Sequence, residues 1–229
     1  MGRLGQSRVL DRSRQAAPQI LEHLRTRILT LELPPNAVLS RSVLQLEYGV
    51  SQTPVRDALL QLAEEGLVEV YPQSGTVVAR IDIGLARQGH FLRSAVELEA
   101  VRKLAMDPPG SLVAELRAIV GEQRRLIGAQ TPKAFDQADR DFHRSIYNAA
   151  GISALWPTVR KHSGHIDRLR RLTLPRKGKQ EAIVRDHLAI VDGIKARDAV
   201  AACEALRKHL SGTLSLIETI RAEHPDYIT

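Results

Sequence analysis

The chain has 229 residues, of which 43% are hydrophobic and 26% are charged, and its formal net charge is +7. This composition is that of a globular protein, and the length is ample for two domains. No apolar run is long enough to span a bilayer, and the basic amino terminus lacks the apolar core of a secretory signal. We therefore expect a cytoplasmic protein without membrane contact. Cys203, the single cysteine, excludes an internal disulfide bond, and 3% aromatic residues argue against a stacking platform for single-stranded nucleic acid.

Two helices are predicted after a basic tail. Residues 1–14 are polar and rich in arginine, which is typical of a flexible tail. Ser42 and Gln45 have capping-box spacing, which predicts a short second helix ending near Gly49. An amphipathic first helix precedes it. Its apolar stripe is Ile20, Leu24, Ile28 and Leu31, and Pro34 and Pro35 are expected to terminate it.

A third helix has the clearest local signals in the chain. Ser51 is a good N-cap, and Pro54 falls in the first turn, where a missing N–H costs nothing. Apolar residues then recur at helical spacing and predict a buried stripe, which leaves the polar positions free for recognition. The stripe is Val55, Leu59 and Leu62, and the polar positions include Gln52, Thr53, Arg56 and Gln61.

A β-hairpin is predicted directly after this helix. Residues 68–71 alternate in polarity, residues 72–75 form a turn, and residues 76–79 supply a β-branched return strand. Three helices followed by a hairpin form a winged helix-turn-helix, whose last helix enters the major groove of duplex DNA. There Arg56 would contact phosphate or guanine and Gln52 adenine or the backbone. A surface ion pair is the alternative role for Arg56.

The segment LSRSVLQLEYGVSQTPVRDALLQLAEEGLVEVYPQSGTVV resembles the winged-helix domain of the GntR family of bacterial transcriptional regulators. The resemblance spans roughly residues 15–80 and implies a DNA-binding domain there. One position departs from the family pattern: relatives often have arginine where this chain has Gln52. The operator is therefore expected to differ from the one common in the family. The operator-contacting roles of the family fall on Arg56, on Ser51, Gln52 and Thr53, on Arg41 or Ser42, and on Gly75 in the wing.

The net charge is concentrated outside this domain. Residues 153–179 hold eight basic residues against one acid, so the rest of the chain sums to zero. DNA affinity must therefore depend on individually placed side chains. The basic segment itself is compatible with a solvated helix face or with arginines that bind an anionic effector.

Beyond residue 80 the pattern becomes entirely helical. Proline and glycine breakers, together with N-cap signals at Thr131 and Asp198, divide the chain into six helices. We expect a linker at residues 81–84, an all-α six-helix bundle at residues 85–222 and a tail at residues 223–229, which makes the protein mainly α. The helices are expected near residues 83–106, 111–128, 132–149, 153–172, 179–196 and 198–222.

Four side chains of this bundle have the chemistry of a metal site. Asp139 and His143 are four residues apart on one helix and therefore share a face. His187 and His209 lie on later helices, each among apolar residues at core spacing. Three imidazoles and a carboxylate suit a borderline divalent ion, zinc first, or nickel or manganese. An ordinary Asp–His ion pair with separately satisfied histidines is the alternative.

The bundle also resembles the FCD effector domain that follows many GntR winged helices, in the FadR subfamily and its six-helix VanR-like group. The likeness covers roughly residues 85–220 and depends on DxxFH followed by two later histidines. By this resemblance Asp139, His143, His187 and His209 are metal ligands. Arg93 matches a pocket-facing arginine that meets an effector carboxylate in relatives. An ordinary surface ion pair with Glu97 is its alternative role.

These features together predict a bacterial DNA-binding transcriptional regulator and not an enzyme. We expect a homodimer that binds double-stranded operator DNA as a repressor, modulated by a small organic-acid effector at the metal site. A regulator that senses the metal itself is the first alternative. A metal-dependent hydrolase or oxygenase is the second, although the chain has no HExxH motif or comparable pairing.

Overall fold

The computed structural model describes residues 10–71, 75–128 and 132–229. The chain forms two compact units, one of Met1–Ile83 with Arg221–Thr229 and one of Gly84–Ile220. The predictions made for residues 1–9 of the tail, for the turn at residues 72–74 and for the N-cap Thr131 lie outside the described residues. No helix in the described part of the chain is long and apolar enough to cross a membrane.

Three helices open the first unit: α1 (Ala16–Leu29), α2 (Arg41–Tyr48) and α3 (Gln52–Glu64). Burial confirms the predicted stripes, because Ile20, Leu24 and Ile28 of α1 pack in one core with the stripe of α3. Helix α1 ends before the prolines, and Leu31 lies beyond the helix at a φ of 60°.

The predicted cap of α2 at Ser42 is wrong. Ser40 is the N-cap residue, and its side chain accepts a hydrogen bond from the backbone N–H of Val43 at 3.4 Å. The helix therefore begins at Arg41, two residues nearer to the amino terminus of the chain than the capping-box spacing suggested. It ends as predicted at Gly49, whose φ of 63° favours glycine.

A three-stranded antiparallel sheet completes the winged fold. The predicted hairpin strands are β2 (Val68–Tyr71) and β3 (Gly75–Val78), and Val70 pairs with Thr76. A strand that sequence analysis did not predict, β1 (Val38–Leu39), pairs with the other side of β3 to give the order β1-β3-β2. The wing is thus fastened to the segment that leads into α2.

The carboxyl-terminal residues belong to this same unit. The strap, as we name residues 225–229, runs beside Ile81 in a parallel β-bridge formed by Ile228. The backbone N–H of Ile81 donates to the carbonyl of Tyr227 at 2.7 Å, and the N–H of Thr229 donates to the carbonyl of Ile81 at 3.1 Å. Ile81 and Ile228 are buried. A segment that sequence analysis treated as a tail is therefore ordered by backbone pairing.

The second unit is helical throughout its described length, which confirms the mainly α architecture. Two of the six predicted helices are interrupted, the fourth at Ser163 and the sixth at Gly212. The helices that lie wholly or mostly in it are α4 (Ile83–Met106), α5 (Leu112–Arg125), α6 (Pro132–Ala149), α7 (Trp156–His162), α8 (Gly164–Thr173), α9 (Lys179–Lys195), α10 (Ala199–Ser211) and α11 (Ile217–Glu223).

Local competition for backbone groups explains the break at Ser163. The hydroxyl of this buried serine donates to the carbonyl of Val159 at 2.7 Å, and its N–H donates to Arg160 three residues back. Such side-chain bonds compete with regular helical pairing. Helix α4 also passes very close, since a Cβ on Gly89 would lie 2.2 Å from the carbonyl oxygen of His162. Helix α8 can therefore take its own direction.

Helices α9 and α10 form a close pair in this core. A Cβ added to Gly193 of α9 would lie 2.7 Å from both Cα and N of Ala202 on α10. Only glycine allows the two backbones to approach this far. The crossing matters because His187 and His209 lie on these two helices.

We expect Gly193→Ala to lower the free energy of unfolding by about 1–3 kcal/mol, because the added methyl group forces the packed helices apart. Chemical denaturation measures this change. Gly121→Ala is the matched control, since nothing lies within 4 Å of a Cβ at that helical position. The control should gain about 0.5–1 kcal/mol from helix propensity. Equal stability of Gly193→Ala and the wild type would show that the helices do not cross this closely.

Candidate functional site

The polar side of α3 carries three of the side chains predicted to contact DNA. Gln52, Thr53 and Arg56 are exposed, whereas Val55 and Leu59 are buried against the rest of the first unit. The apolar stripe therefore anchors the helix and leaves its other face accessible. The predicted N-cap Ser51 is also exposed and precedes the helix in extended backbone, although its side chain makes no capping hydrogen bond.

Two arginines of this unit have guanidinium groups without a partner in the described part of the chain. Among the described residues, Arg56 and Arg41 form no ion pair and no side-chain hydrogen bond. The alternative role of Arg56 in a surface ion pair thus has no structural support. Both cations are available for an external anion such as a phosphate group.

Arg41 and Ser42 border a groove between the start of α2 and the wing. Gly75 lies at the wing side of this groove with a φ of 112°, a conformation that favours glycine. The structure thus brings together three predicted residues from two parts of the sequence. The groove is lined by Val38, Leu39, Ser40, Arg41, Ser42, Tyr71 and Gly75.

The four predicted metal ligands meet inside the second unit. Asp139 and His143 lie one turn apart on α6, His187 lies on α9 and His209 lies on α10. One donor atom from each side chain lies within 4.8 Å of the other three. The first three side chains are buried and His209 is half-buried. The four-residue spacing and the two distant histidines therefore converge on one point.

The imidazole nitrogens have the separations of ligands that share an ion. His209 Nε2 lies 3.2 Å from His143 Nε2 and 3.3 Å from His187 Nε2. Nitrogens this far apart subtend about 100° at a common ion when each bond is roughly 2.1 Å, the usual zinc–imidazole length. Oδ1 of Asp139 accepts no hydrogen bond from the described residues, and Oδ2 has only the ion-pair contact with Arg170 Nη2 at 2.8 Å. The donor set therefore fits a borderline divalent ion.

Two further side chains orient the histidine rings. His187 Nδ1 lies 2.8 Å from Gln123 Oε1, and His143 Nδ1 lies 2.8 Å from Glu97 Oε2, although that ring N–H does not point directly at the oxygen. These acceptors favour a proton on each Nδ1 and leave Nε2 as the lone-pair donor. Sequence analysis missed Gln123, and it noted Glu97 only as a partner of Arg93.

Electrostatics keep three of the four ligands, Asp139, His187 and His209, in the protonation states that metal binding requires. Burial opposes ionisation of Asp139, but Arg170 and the neighbouring histidines outweigh it and hold its pKa well below the usual value. Burial lowers the pKa of His187 to about 3 against the opposing effect of Asp139. Burial and the adjacent imidazoles also hold the pKa of His209 well below normal. At neutral pH these groups are a carboxylate and neutral imidazoles, which are the ligating forms.

Arg93 and Glu97 form a buried ion pair, so the alternative of an ordinary surface pair is wrong. Arg93 Nε lies 2.7 Å from Glu97 Oε1, and the two residues are 6% and 0% exposed. Burial would raise the pKa of Glu97, but Arg93 and His143 lower it to about 2. A carboxylate that is charged at neutral pH thus compensates the buried guanidinium.

A cavity next to the cluster is rich in positive charge, and we call it the basic cavity. Arg93, Arg170 and Lys179 line it together with His209. Arg170 Nη2 lies 2.8 Å from Asp139 Oδ2, and Lys179 Nζ donates to the carbonyl of Gly212 at 2.8 Å. The remaining residues that line the basic cavity are His90, Ile166, Ile183, Leu210 and Thr213.

The basic segment at residues 153–179 is therefore not simply a solvated helix face. Arg168 is fully buried, and the side chain of Arg170 is only 20% exposed. The sequence contains no signal that separates Arg170 from its neighbours in RLRR, because the distinction depends on which helix α8 meets. Lys179 was missed for the same reason, although its position at the start of α9 was predicted.

Comparison with known proteins assigns both units to described families. Residues 16–78 match the description "Bacterial regulatory proteins, gntR family", and residues 90–212 match the FCD domain. A Streptomyces ambofaciens protein, an uncharacterized HTH-type transcriptional regulator in an unstable DNA locus, is 38% identical over 89% of this chain and 85% of its own. The Escherichia coli transcriptional repressor RspR is 29% identical over 92% of each chain.

Solved structures agree on the fold. Escherichia coli McbR/YncC superposes with a TM-score of 0.75 at 18% identity, over 90% of this chain and 98% of that one. A putative GntR regulator from Rhodococcus sp. RHA1 gives a TM-score of 0.73 at 19% identity, over 88% and 97% of the two chains. The two family matches and the 38% identical relative establish that the chain belongs to the GntR family of bacterial transcriptional regulators and carries an FCD domain behind its winged helix.

Proposed function

We propose that the protein binds operator DNA through α3 and the groove beside the wing. The observation that carries this proposal is the exposed polar face of α3, on which Arg56 has no partner among the described residues. Arg56 contacts phosphate or guanine, and Gln52 contacts adenine or the backbone. Ser51 and Thr53 join them at the start of the helix. Arg41, Ser42 and Gly75 approach the adjacent backbone from the groove.

The two functions, DNA binding and effector binding, belong to the two domains predicted from the sequence. Residues 15–80 bind DNA, and residues 85–222 bind the effector and dimerise. A homodimer places two copies of α3 in successive major grooves, roughly 34 Å apart, on a pseudo-palindromic operator. Repression relieved by effector is the expected mode, which the name of the relative RspR supports.

The effector is a small organic acid that binds next to a divalent ion. Asp139, His143, His187 and His209 hold the ion, with zinc expected first and nickel or manganese as alternatives. The ion supplies positive charge and open coordination positions for a carboxylate. Arg93 lines the basic cavity next to these ligands and offers a second contact for the same group.

The effector regulates only if it binds two arrangements of the dimer with different affinity. This condition distinguishes the proposal from the alternative, a regulator for which the metal alone is the signal. In that case operator affinity would follow the metal concentration without any organic acid. An enzymatic role has no support from the relatives reported above, which are named as transcriptional regulators.

We expect Arg56→Ala to weaken binding to operator DNA by about 1–3 kcal/mol, because it removes a cation that contacts the duplex. Fluorescence anisotropy with a labelled genomic operator fragment measures the affinity at fixed salt. The control is Arg125→Ala, which removes an exposed charge, paired with Glu122, from α5 of the other unit. Equal loss in both variants would mean that only bulk charge matters, and no loss in either would contradict the proposed interface.

We expect His143→Ala to lose most of its bound metal and to lose the thermal stabilisation that added zinc gives the wild type, since ligation stabilises only the folded state. Elemental analysis and thermal unfolding with and without zinc test this. His162→Ala is the control, because His162 is exposed and lies outside the cluster. Unchanged metal content in His143→Ala would refute the site.

A further inference from the structure

The carboxylate of Asp139 already has a positive partner. A buried carboxylate is costly unless an opposite charge compensates it. Arg170 supplies that charge at 2.8 Å, whereas His187 Nε2 and His143 Nε2 lie at 3.7 and 4.0 Å from the carboxylate oxygens. The guanidinium is therefore the group that occupies the charge-compensating position next to this proposed ligand.

Arg170 is also the residue that joins the cluster to the basic cavity. Two neighbouring arginines of the basic segment pair with other acids, Arg171 with Asp136 at 3.0 Å and Arg160 with Asp167. Among the described residues, Asp139 is the one acid found within 4 Å of Arg170, while Asp167 and Asp136 act on its charge from farther away. The side chain is 20% exposed and lines the cavity. Loss of Asp139 as a partner would leave this cation facing the cavity.

We propose that Arg170 is a resident counterion of Asp139, that a divalent ion displaces it, and that the released guanidinium then binds a carboxylate ligand in the basic cavity. This inference rests on the proposed metal site. Metal and guanidinium compete for one carboxylate, so Arg170 lowers the affinity for the ion. The same competition couples the two ligands, because each binding event favours the other by an equal factor.

The charges of the cavity indicate which carboxylates it favours, but its volume of about 20 Å³ holds only a water-sized group, so it must widen when Arg170 moves before an organic acid can enter. Once the ion compensates Asp139, Arg170 and Lys179 are two cations with no described carboxylate at ion-pairing distance, while Arg93 keeps Glu97. Two such cations next to a divalent ion favour a ligand with two carboxylates over a ligand with one. Succinate should therefore bind better than acetate.

The decisive measurement is the zinc affinity of Arg170→Gln against the wild type, by competition with a chromogenic chelator. We expect the variant to bind zinc on the order of ten-fold more tightly, because its metal-free state contains an uncompensated buried carboxylate. A residue that only supported Asp139 would have the opposite effect, a loss of about 10–100-fold. Unchanged or weaker zinc binding by Arg170→Gln would overturn the proposal.

Two further variants keep this test interpretable. Arg171→Gln removes the neighbouring cation, whose partner is Asp136 and not a proposed ligand, and should bind zinc like the wild type. Arg170→Lys keeps a positive charge but loses the planar guanidinium, and its affinity should lie between those of the wild type and Arg170→Gln. If Arg170→Gln does not fold, Arg170→Lys decides, since weaker zinc binding by that variant contradicts the competition.

The second half of the proposal is tested by repeating the zinc titration with succinate or acetate, corrected for their own weak zinc complexes. Succinate should raise the zinc affinity of the wild type several-fold, and more than acetate does, but not that of Arg170→Gln. No rise in the wild type would refute carboxylate binding by the released arginine. Equal zinc binding by the wild type and His143→Ala would instead refute the metal site itself.

Discussion

The requirement to compensate a buried carboxylate governs the arrangement of the second unit. Asp139 is 1% exposed, and the groups that stabilise its charge come from α8, α9 and α10 as well as its own helix. Glu97 imposes the same condition on Arg93 and His143. Removing any one polar group of this network would leave a neighbouring polar group uncompensated. These contacts therefore allow only one relative placement of the helices, and the apolar core must pack in that placement.

The elements that sequence analysis predicted well are those whose signals are local. Helix α3 has its apolar stripe within thirteen residues, and Gly49 ends α2 by its own conformational freedom. Strand β1 was missed because two residues without alternation form a strand only when β3 lies alongside. The cap of α2 was misplaced because Ser40 and Ser42 are both plausible, and tertiary context selects one. The break at Ser163 combines a local side-chain hydrogen bond with the close passage of α4, and the second of these has no signal in the local sequence.

The same distinction applies to the candidate metal centre. The four-residue spacing of Asp139 and His143 indicates that they share a helix face. His187 and His209 lie at core positions of their helices. The four donors could therefore be predicted from the sequence. Their surroundings were not. Arg170 and Gln123 belong to helices whose orientation toward the cluster cannot be derived from their own sequence. The spacing of Arg93 and Glu97 is compatible with an ordinary surface pair, but the structure buries both residues within the charge network.

The strap gives the winged-helix unit a boundary that does not follow the chain. Ile81 donates and accepts main-chain hydrogen bonds with residues near position 228, and both side chains are excluded from water. A fragment cut after residue 83, where the first unit ends, would therefore keep Ile81 but lack the pairing partner that the intact polypeptide brings back from its opposite end. Anyone dissecting the protein into halves should expect the amino-terminal piece to remain incomplete until a peptide corresponding to the final segment is returned to it.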